Sequence, residues 1–433
     1  MVIKYTLDNG MVVLLEAIEG VASVSAGLWV KTGSRNERSD QMGYAHFIEH
    51  MLFKGTSNYS ARDIARMVDR VGGQHNAATN REYTCYYINV ISDYLELSVD
   101  LLADMYYSSL FDPDEIAKEK NVILEEIRMY EDTPDELIHD VFMECMLSEH
   151  PLGHPILGTI DSIDGIGRER LLSFFGENYS TDNCIFAVAG NFDVDATRRI
   201  IERAFASPLS TSNGAARTAD APARRIFRRH ITRDLEQIHF CLGTEGLSRS
   251  DENRWALFSL STILGGSMSS RLFQNIRERE GLCYAIYSFH SAYLDNGVFG
   301  VYCGTSPDNY ARALGLIVRE CEALLDQGVT EEELEDAKTF MKGNLALSME
   351  STEVRMGHLA KNEMIYGRHF SFDEMVSKID AISMGDFKKV IDSIFREKQL
   401  TLVSIGKIPG NTGFAPASPI VLIGGARRGK ESR

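Results

Sequence analysis

Gly43-Tyr44-Ala45-His46-Phe47-Ile48-Glu49-His50-Met51-Leu52-Phe53-Lys54-Gly55-Thr56 is the stretch around which the rest of this chain is read. Residues 43–53 are apolar enough, and free enough of breakers, to predict a helix. His46 and His50 are four apart, so on a helix they lie one turn apart on one face, where two imidazoles can share one ion. Glu49 is three from His46 and lies on that face as well. The order is H-x-x-E-H, the inverse of the histidine-glutamate helix motif of zinc sites. A catalytic zinc takes three protein ligands and leaves one position open for water. The histidines supply two. Glu49 flanks the ion too closely to reach it easily but can reach the water, which makes it the candidate general base.

A third ligand has to come from elsewhere. The segment Glu119-Lys120-Asn121-Val122-Ile123-Leu124-Glu125-Glu126-Ile127-Arg128-Met129 begins 69 residues after His50 and is the candidate source. Glu119 and Glu126 are seven apart, two helical turns, so both carboxylates face the same way, and Glu125 points aside. One of the pair can bind metal, and the other can orient a ligand or the water from behind.

Working outward, residues 3–7 and 11–15 flank Asn9-Gly10, the signature of a hairpin. A third strand is expected at 22–30. Ser60 is placed to cap a helix over 61–71, which Gly72-Gly73 breaks. Strands are expected at 75–79 and 83–90, helices over 93–109, 114–130 and 134–147, and a short buried strand at 184–188. Residues 207–224 (SPLSTSNGAARTADAPAR) are small and polar and read as a linker near the midpoint. On either side of it the layout recurs: Phe111 to Ile116 starts a long helix in the first half, and Val329 to Leu334 does so 218 residues later. Two related domains are therefore expected, 1–206 and 225–433, in the α+β class because strands and helices mix without βαβ regularity. At the same offset Glu126 falls on Asn344, and residues 253–264 hold no histidine, so the second domain is expected to carry no zinc site.

The chain has 433 residues, 44% hydrophobic and 25% charged, which is the mix of a globular protein. Its 45 basic and 62 acidic residues leave a net charge of −17. That disfavours general nucleic-acid binding and docking to anionic membranes. The seven cysteines are odd in number and form no Cys-x-x-Cys pair, which points to reduced thiols. No secretory leader and no membrane span is read, so the expected location is the cytoplasm. His75, His150, His154 and His239 are given structural roles.

Taken together, H-x-x-E-H followed by E-x-x-V-I-L-x-E resembles the pitrilysin/insulinase family of zinc peptidases. The likeness is strongest to the β-subunit of mitochondrial processing peptidase and its bacterial relatives. It extends to Gly73-Gln74-His75-Asn76-Ala77-Ala78-Thr79, to the loop from His150 to Thr159, to Ser269-Ser270-Arg271-Leu272-Phe273, and to Arg277-Glu278-x-x-Gly281-Leu282-x-Tyr284. The resemblance implies zinc held by His46, His50 and Glu126, with Glu49 as base and Glu119 as its supporting acid. It implies that Asn76 and Ala77 lie on an edge strand that accepts the substrate backbone, and that Arg277 and Tyr284 approach the metal from a second domain. It further implies two related domains, each a mostly antiparallel sheet packed with helices, making one half of a clamshell chamber. The expected activity is endopeptidase cleavage of short unstructured peptides by a homodimer, or by a pair formed with a non-catalytic relative. Processing of a partner's presequence, or a non-catalytic structural subunit of the same fold, are the alternatives.

Overall fold

The computed structural model describes residues 2–207, 225–408 and 420–422; the expected linker therefore lies outside the described residues except for Ser207. Six strands form the first sheet: β1 (Val2–Thr6), β2 (Val12–Ala17), β3 (Ser23–Val30), β4 (Gln74–Thr79), β5 (Thr84–Ile91) and β6 (Cys184–Gly190), in the order β1-β2-β6-β3-β5-β4. Every neighbouring pair is antiparallel except β2 with β6. The first hairpin turns over residues 7–11 rather than over two residues. Leu7 N–H donates to Met11 O at 2.9 Å, and Asn9 Oδ1 accepts from Met11 N at 3.1 Å. Gly10 takes the positive φ of 90° that the bend requires.

The strands β3 and β6 are buried along nearly their whole length, so both faces of the sheet need cover. Val24, Ala26, Leu28 and Val30 pack into the main core with the helices of the first half. On the opposite face Trp29, Ile185 and Ala187 pack against Met356, Leu359 and Ala360 of the helix Thr352–Tyr366, far along the chain. Arg355 fixes that helix with a forked pair of bonds to Glu16, at 3.2 and 2.5 Å, and Thr352 meets Ser25 hydroxyl to hydroxyl at 2.9 Å. One compact unit accordingly comprises Met1–Met129, His154–Asp220 and Ala346–His369. The other comprises Tyr130–Gly153, Ala221–Leu345 and Phe370–Arg433, and there the helix Pro134–Met146 covers the second sheet with Ile138 and Phe142 against Cys241 and Val403. Each half thus takes one helix from the other's stretch of sequence. Periodicity marks these helices as amphipathic but does not say which sheet they cover.

The second sheet contains β7 (Arg228–Ile231), β8 (Ile238–Glu245), β9 (Cys283–Ala292), β10 (Gly297–Thr305), β11 (Gln399–Ile405) and β12 (Ile420–Val421). Its order is β12-β11-β8-β10-β9, with β7 parallel beside β11. Strand for strand this repeats the first sheet: β7, β11, β8, β10 and β9 stand as β2, β6, β3, β5 and β4 do, with the parallel pair in the same place. Two long helices follow the edge hairpin in both halves, Leu95–Ser108 then Pro113–Glu131, and Tyr310–Gln327 then Glu331–Ser348. Both halves are mixed α and β with mostly antiparallel sheets, as the sequence led one to expect. All seven cysteines are free thiols, six of them buried.

Leu359 is 1% exposed against the back of the first sheet. Its replacement by alanine should cost about 2–5 kcal/mol. Hydrogen exchange should then quicken in β3 and β6 while β8 and β10 keep their protection. The reverse pattern would place the helix on the other sheet.

Candidate metal centre

The motif helix runs Tyr44–Met51. Its start is fixed by Gly43, whose φ is 88° and where a Cβ would meet Leu157 O at 2.7 Å, so only glycine fits there without strain. Glu37, 2% exposed, accepts from Gly43 N at 2.9 Å and from Ala45 N at 2.7 Å. A carboxylate here satisfies two of the helix's open N–H groups and complements its dipole. Burial pushes Glu37 well above the usual carboxylate range, and the backbone N–H groups oppose that rise. Tyr44, Ala45, Phe47, Ile48 and Met51 are buried in the core. With that face committed, His46, Glu49 and His50 are turned to a common side.

The two imidazoles sit edge to face with centroids 4.6 Å apart. Glu126, on the helix Pro113–Glu131, places Oε1 at 3.9 Å from His46 Nε2 and Oε2 at 3.8 Å from His50 Nε2. One donor atom from each of the three lies within 4.8 Å of the others, and among the described residues this is the group so placed. These gaps exceed a hydrogen bond. They approach the roughly 3.3 Å between ligands of a tetrahedral ion with bonds of about 2.0 Å. The other nitrogen of His50 is already engaged: Nδ1 lies 2.7 Å from Glu119 Oε1. A carboxylate only accepts, so Nδ1 carries the proton and Nε2 presents its lone pair toward Glu126. The donor set therefore fits a divalent metal of the zinc type.

Burial and neighbouring charge tune each member. His46 is pushed down to about 3 by burial first and by His50 second, so it stands neutral with a free lone pair. Burial also lowers His50, but the bond and charge of Glu119 outweigh it and the net shift is upward. Glu119 is 3% exposed; burial raises it, and its bonds to His50 and Lys54 more than reverse that. Glu126 is raised by burial. Glu49 is raised by burial too, opposed by a 2.5 Å hydrogen bond from the Thr79 hydroxyl to Oε2. A carboxyl moved upward is a better proton acceptor at neutral pH.

Thr79 and Lys54 did not emerge from the sequence. Thr79 ends β4, and no spacing rule links it to Glu49. Lys54 is four residues beyond His50, one more helical turn, and that register was the signal available. Asn76 and Ala77 lie on β4, which is an edge of its sheet. Asn76 is exposed, and its side-chain oxygen accepts from Ala77 N at 2.9 Å. Arg277 and Tyr284 belong to the other compact unit. There Tyr284, 77% exposed, lies on the edge strand β9, with the Arg277 guanidinium 5.1 Å from its ring centre. The structural roles expected for other histidines have counterparts: His150 Nδ1 accepts from Leu152 N at 3.1 Å, and His239 Nδ1 pairs with the Tyr302 hydroxyl at 2.9 Å.

Residues 12–160 match the family described as insulinase (peptidase family M16), and residues 165–341 match the domain described as the peptidase M16 inactive domain. The chain belongs to the insulinase family, peptidase family M16. A Bacillus subtilis protein named "uncharacterized zinc protease YmxG" is 40% identical over 93% of this chain and 98% of its own. A Streptomyces coelicolor protein, also named a zinc protease, is 37% identical over 92% and 89%. Among solved structures, a protease from Helicobacter pylori superimposes with a TM-score of 0.86 at 23% identity, covering 94% of this chain and 99% of that one. The M16 assignment agrees with the donor set being confined to the first half. Three residues past the stretch matched to the inactive domain, exposed Asn344 stands at the position that the repeat aligns with Glu126.

Glu126→Gln keeps the size of the side chain and removes its charge. Zinc retained after dialysis against a mild chelator should drop sharply, by a factor of at least about 10. Full retention by this variant would remove Glu126 from the donor set.

Proposed function

We propose that this chain is a zinc metalloendopeptidase that hydrolyses short, unstructured peptides. The observation that carries the reading is the convergence of His46, His50 and Glu126 within 4.8 Å, with Glu49 on the same helix as the two histidines. The names of its M16 relatives, which call them zinc proteases, support it. Zinc, when bound, would supply Lewis acidity toward a carbonyl and a water. Glu49 then takes the proton from the attacking water and returns it to the departing amine. Thr79 holds Glu49 Oε2 and so fixes the orientation of the carboxylate that accepts that proton. Glu119 keeps His50 in the tautomer whose Nε2 can coordinate. Asn76 and Ala77 on the edge strand pair with the substrate backbone, which only a segment free to extend can do. This is why folded proteins are poor substrates in this reading.

The net charge of −17 favours basic peptides, and processing of a basic presequence is the second reading on that ground. A non-catalytic subunit is the less economical choice, since all three donors and the base are present and arranged together. Among the described residues no helix is long and apolar enough to cross a membrane, and a cytoplasmic location accords with that.

Replacing Glu49 by glutamine should leave zinc content and melting temperature unchanged and lower turnover by about 10²–10⁴. Near-normal turnover, with contaminating proteases excluded, would sink the mechanism.

In this reading the working form is a homodimer, and Arg277 and Tyr284 of one subunit would steady the substrate carbonyl oxygen as it gains charge beside the other subunit's Glu49. The exposure of Tyr284 and the guanidinium over its ring support a role outside its own core. Mixing Glu49→Gln chains with Tyr284→Phe chains should restore activity that neither homodimer has, because one site of the mixed dimer is whole. Absence of recovery after verified subunit exchange would confine Tyr284 to its own chain.

A further inference from the structure

Among the described residues the deeply buried carboxylates are Glu37 and Glu119, and both serve the motif helix. Glu37 holds its first turn. Glu119 holds its last, and it does so with both oxygens: Oε1 on His50 Nδ1 at 2.7 Å and Oε2 on Lys54 Nζ at 2.6 Å. We propose that Lys54 is a positioning residue for the metal centre, gripping Glu119 so that its other oxygen is aimed at His50. The inference rests on the zinc-site reading above and adds a residue to it.

The geometry separates this pair from the surface ion pairs of the chain. Lys118 with Glu115 and Lys389 with Asp386 join side chains of which the lysine is about two-thirds exposed or more, so water screens them. Glu119 has a side-chain exposure of 4% and Lys54 of 30%, so here the carboxylate is desolvated and the ammonium reaches inward to it. A buried carboxylate needs each lone-pair direction filled, or it turns to find a donor. If Lys54 is absent, Oε2 has no donor and the carboxylate plane is free to rotate. Rotation moves Oε1 off Nδ1, and the imidazole loses the bond that fixes its ring orientation and tautomer.

Lys54 itself is well placed to act as a fixed point. The chain leaves the motif helix through Phe53 N to His50 O at 3.2 Å and Lys54 N to Met51 O at 3.0 Å. His50 and Lys54 therefore present successive turns to the same carboxylate. The next segment is tied to the chain leading into the Glu119 helix by backbone bonds, Leu110 N to Gly55 O at 3.2 Å and Ser57 N to Ser108 O at 2.9 Å, and by Asn58 Nδ2 to Asp104 Oδ1 at 2.5 Å. These bonds hold the two segments together without the lysine side chain. A change at Lys54 should therefore alter the aim of Glu119 rather than the fold.

The test is zinc affinity, measured by competition with a chromophoric chelator on purified full-length chains. Lys54→Met should weaken zinc binding about tenfold. Lys54→Arg, which can still donate to the carboxylate, should stay within about threefold of wild type. Glu119→Gln should also weaken binding, and adding Lys54→Met to it should change affinity by less than about twofold, because the lysine acts only through that carboxylate. Cobalt in place of zinc should show an altered visible absorption band in Lys54→Met and the wild-type band in Lys54→Arg. Wild-type affinity in Lys54→Met, or losses that multiply in the double variant, would overturn the proposal. Should Lys54→Met fail to fold, Lys54→Ala, which also offers the carboxylate no donor, takes its place: weakened binding supports the role, and wild-type binding overturns it. A wild-type chain that takes up no zinc at all would instead defeat the underlying zinc-site reading, so the two failures are distinct.

Discussion

His50 has two nitrogens and a different carboxylate faces each. Nδ1 bonds Glu119 at 2.7 Å, and Nε2 faces Glu126 at 3.8 Å. Both carboxylates lie on one face of one helix, two turns apart, so a single rigid element sets both distances at once. That helix is held by Ile116, Ile123, Leu124 and Ile127, all buried, and the motif helix by its own buried face and the Glu37 cap. A shift of either helix by a fraction of an ångström would spoil both contacts of His50 together. His46 has no such brace, as its Nδ1 is buried without a hydrogen-bond partner. Its orientation is left to packing, and the burden of defining the site falls on His50.

The second sheet shows how much of this arrangement belongs to the fold and how much to the chemistry. Its strand order and its one parallel pair repeat those of the first. The donors do not repeat. One feature of the long acidic helix does: Val122 and Met129 are exposed on either side of Glu126, and 218 residues on, Phe340 and Leu347 are exposed on either side of Asn344. An apolar side chain left in water is unfavourable by the area it exposes. The exposed pair persists where the metal ligand is gone, so it is not a by-product of metal binding.

Residues that obey a local period were legible in the sequence. His46, Glu49 and His50 share a face by helical spacing, and Glu119 and Glu126 by the same rule. The edge position of Asn76 and Ala77 came from resemblance, and β4 is indeed an edge. Contacts between residues far apart, bound by no period, were not legible. Thr79 reaches Glu49 across 30 positions, and Glu119 meets Lys54 across 65. The exchange of helices is a case of the same kind. The helix Thr352–Tyr366 has an apolar face that would suit either sheet, and only packing against Trp29 and the ion pair with Glu16 assigns it to the first.

Thr79 joins two functions that the sequence keeps apart. It is the last residue of β4 and it holds the candidate base. A strand advances about 3.3 Å per residue, so Asn76 lies roughly 10 Å back along the edge from the residue that fixes Glu49. If a peptide pairs with β4, its register on the edge and its position against Glu49 are then one variable, because the same strand sets both. An open edge is also an aggregation hazard, and here Asn76 closes it in part by taking the Ala77 N–H onto its own side chain. A peptide carbonyl that displaces this oxygen exchanges one neutral hydrogen bond for another, with little net gain. Backbone pairing along β4 would therefore set register rather than affinity. Discrimination between peptides would have to come from side-chain contacts beside the strand.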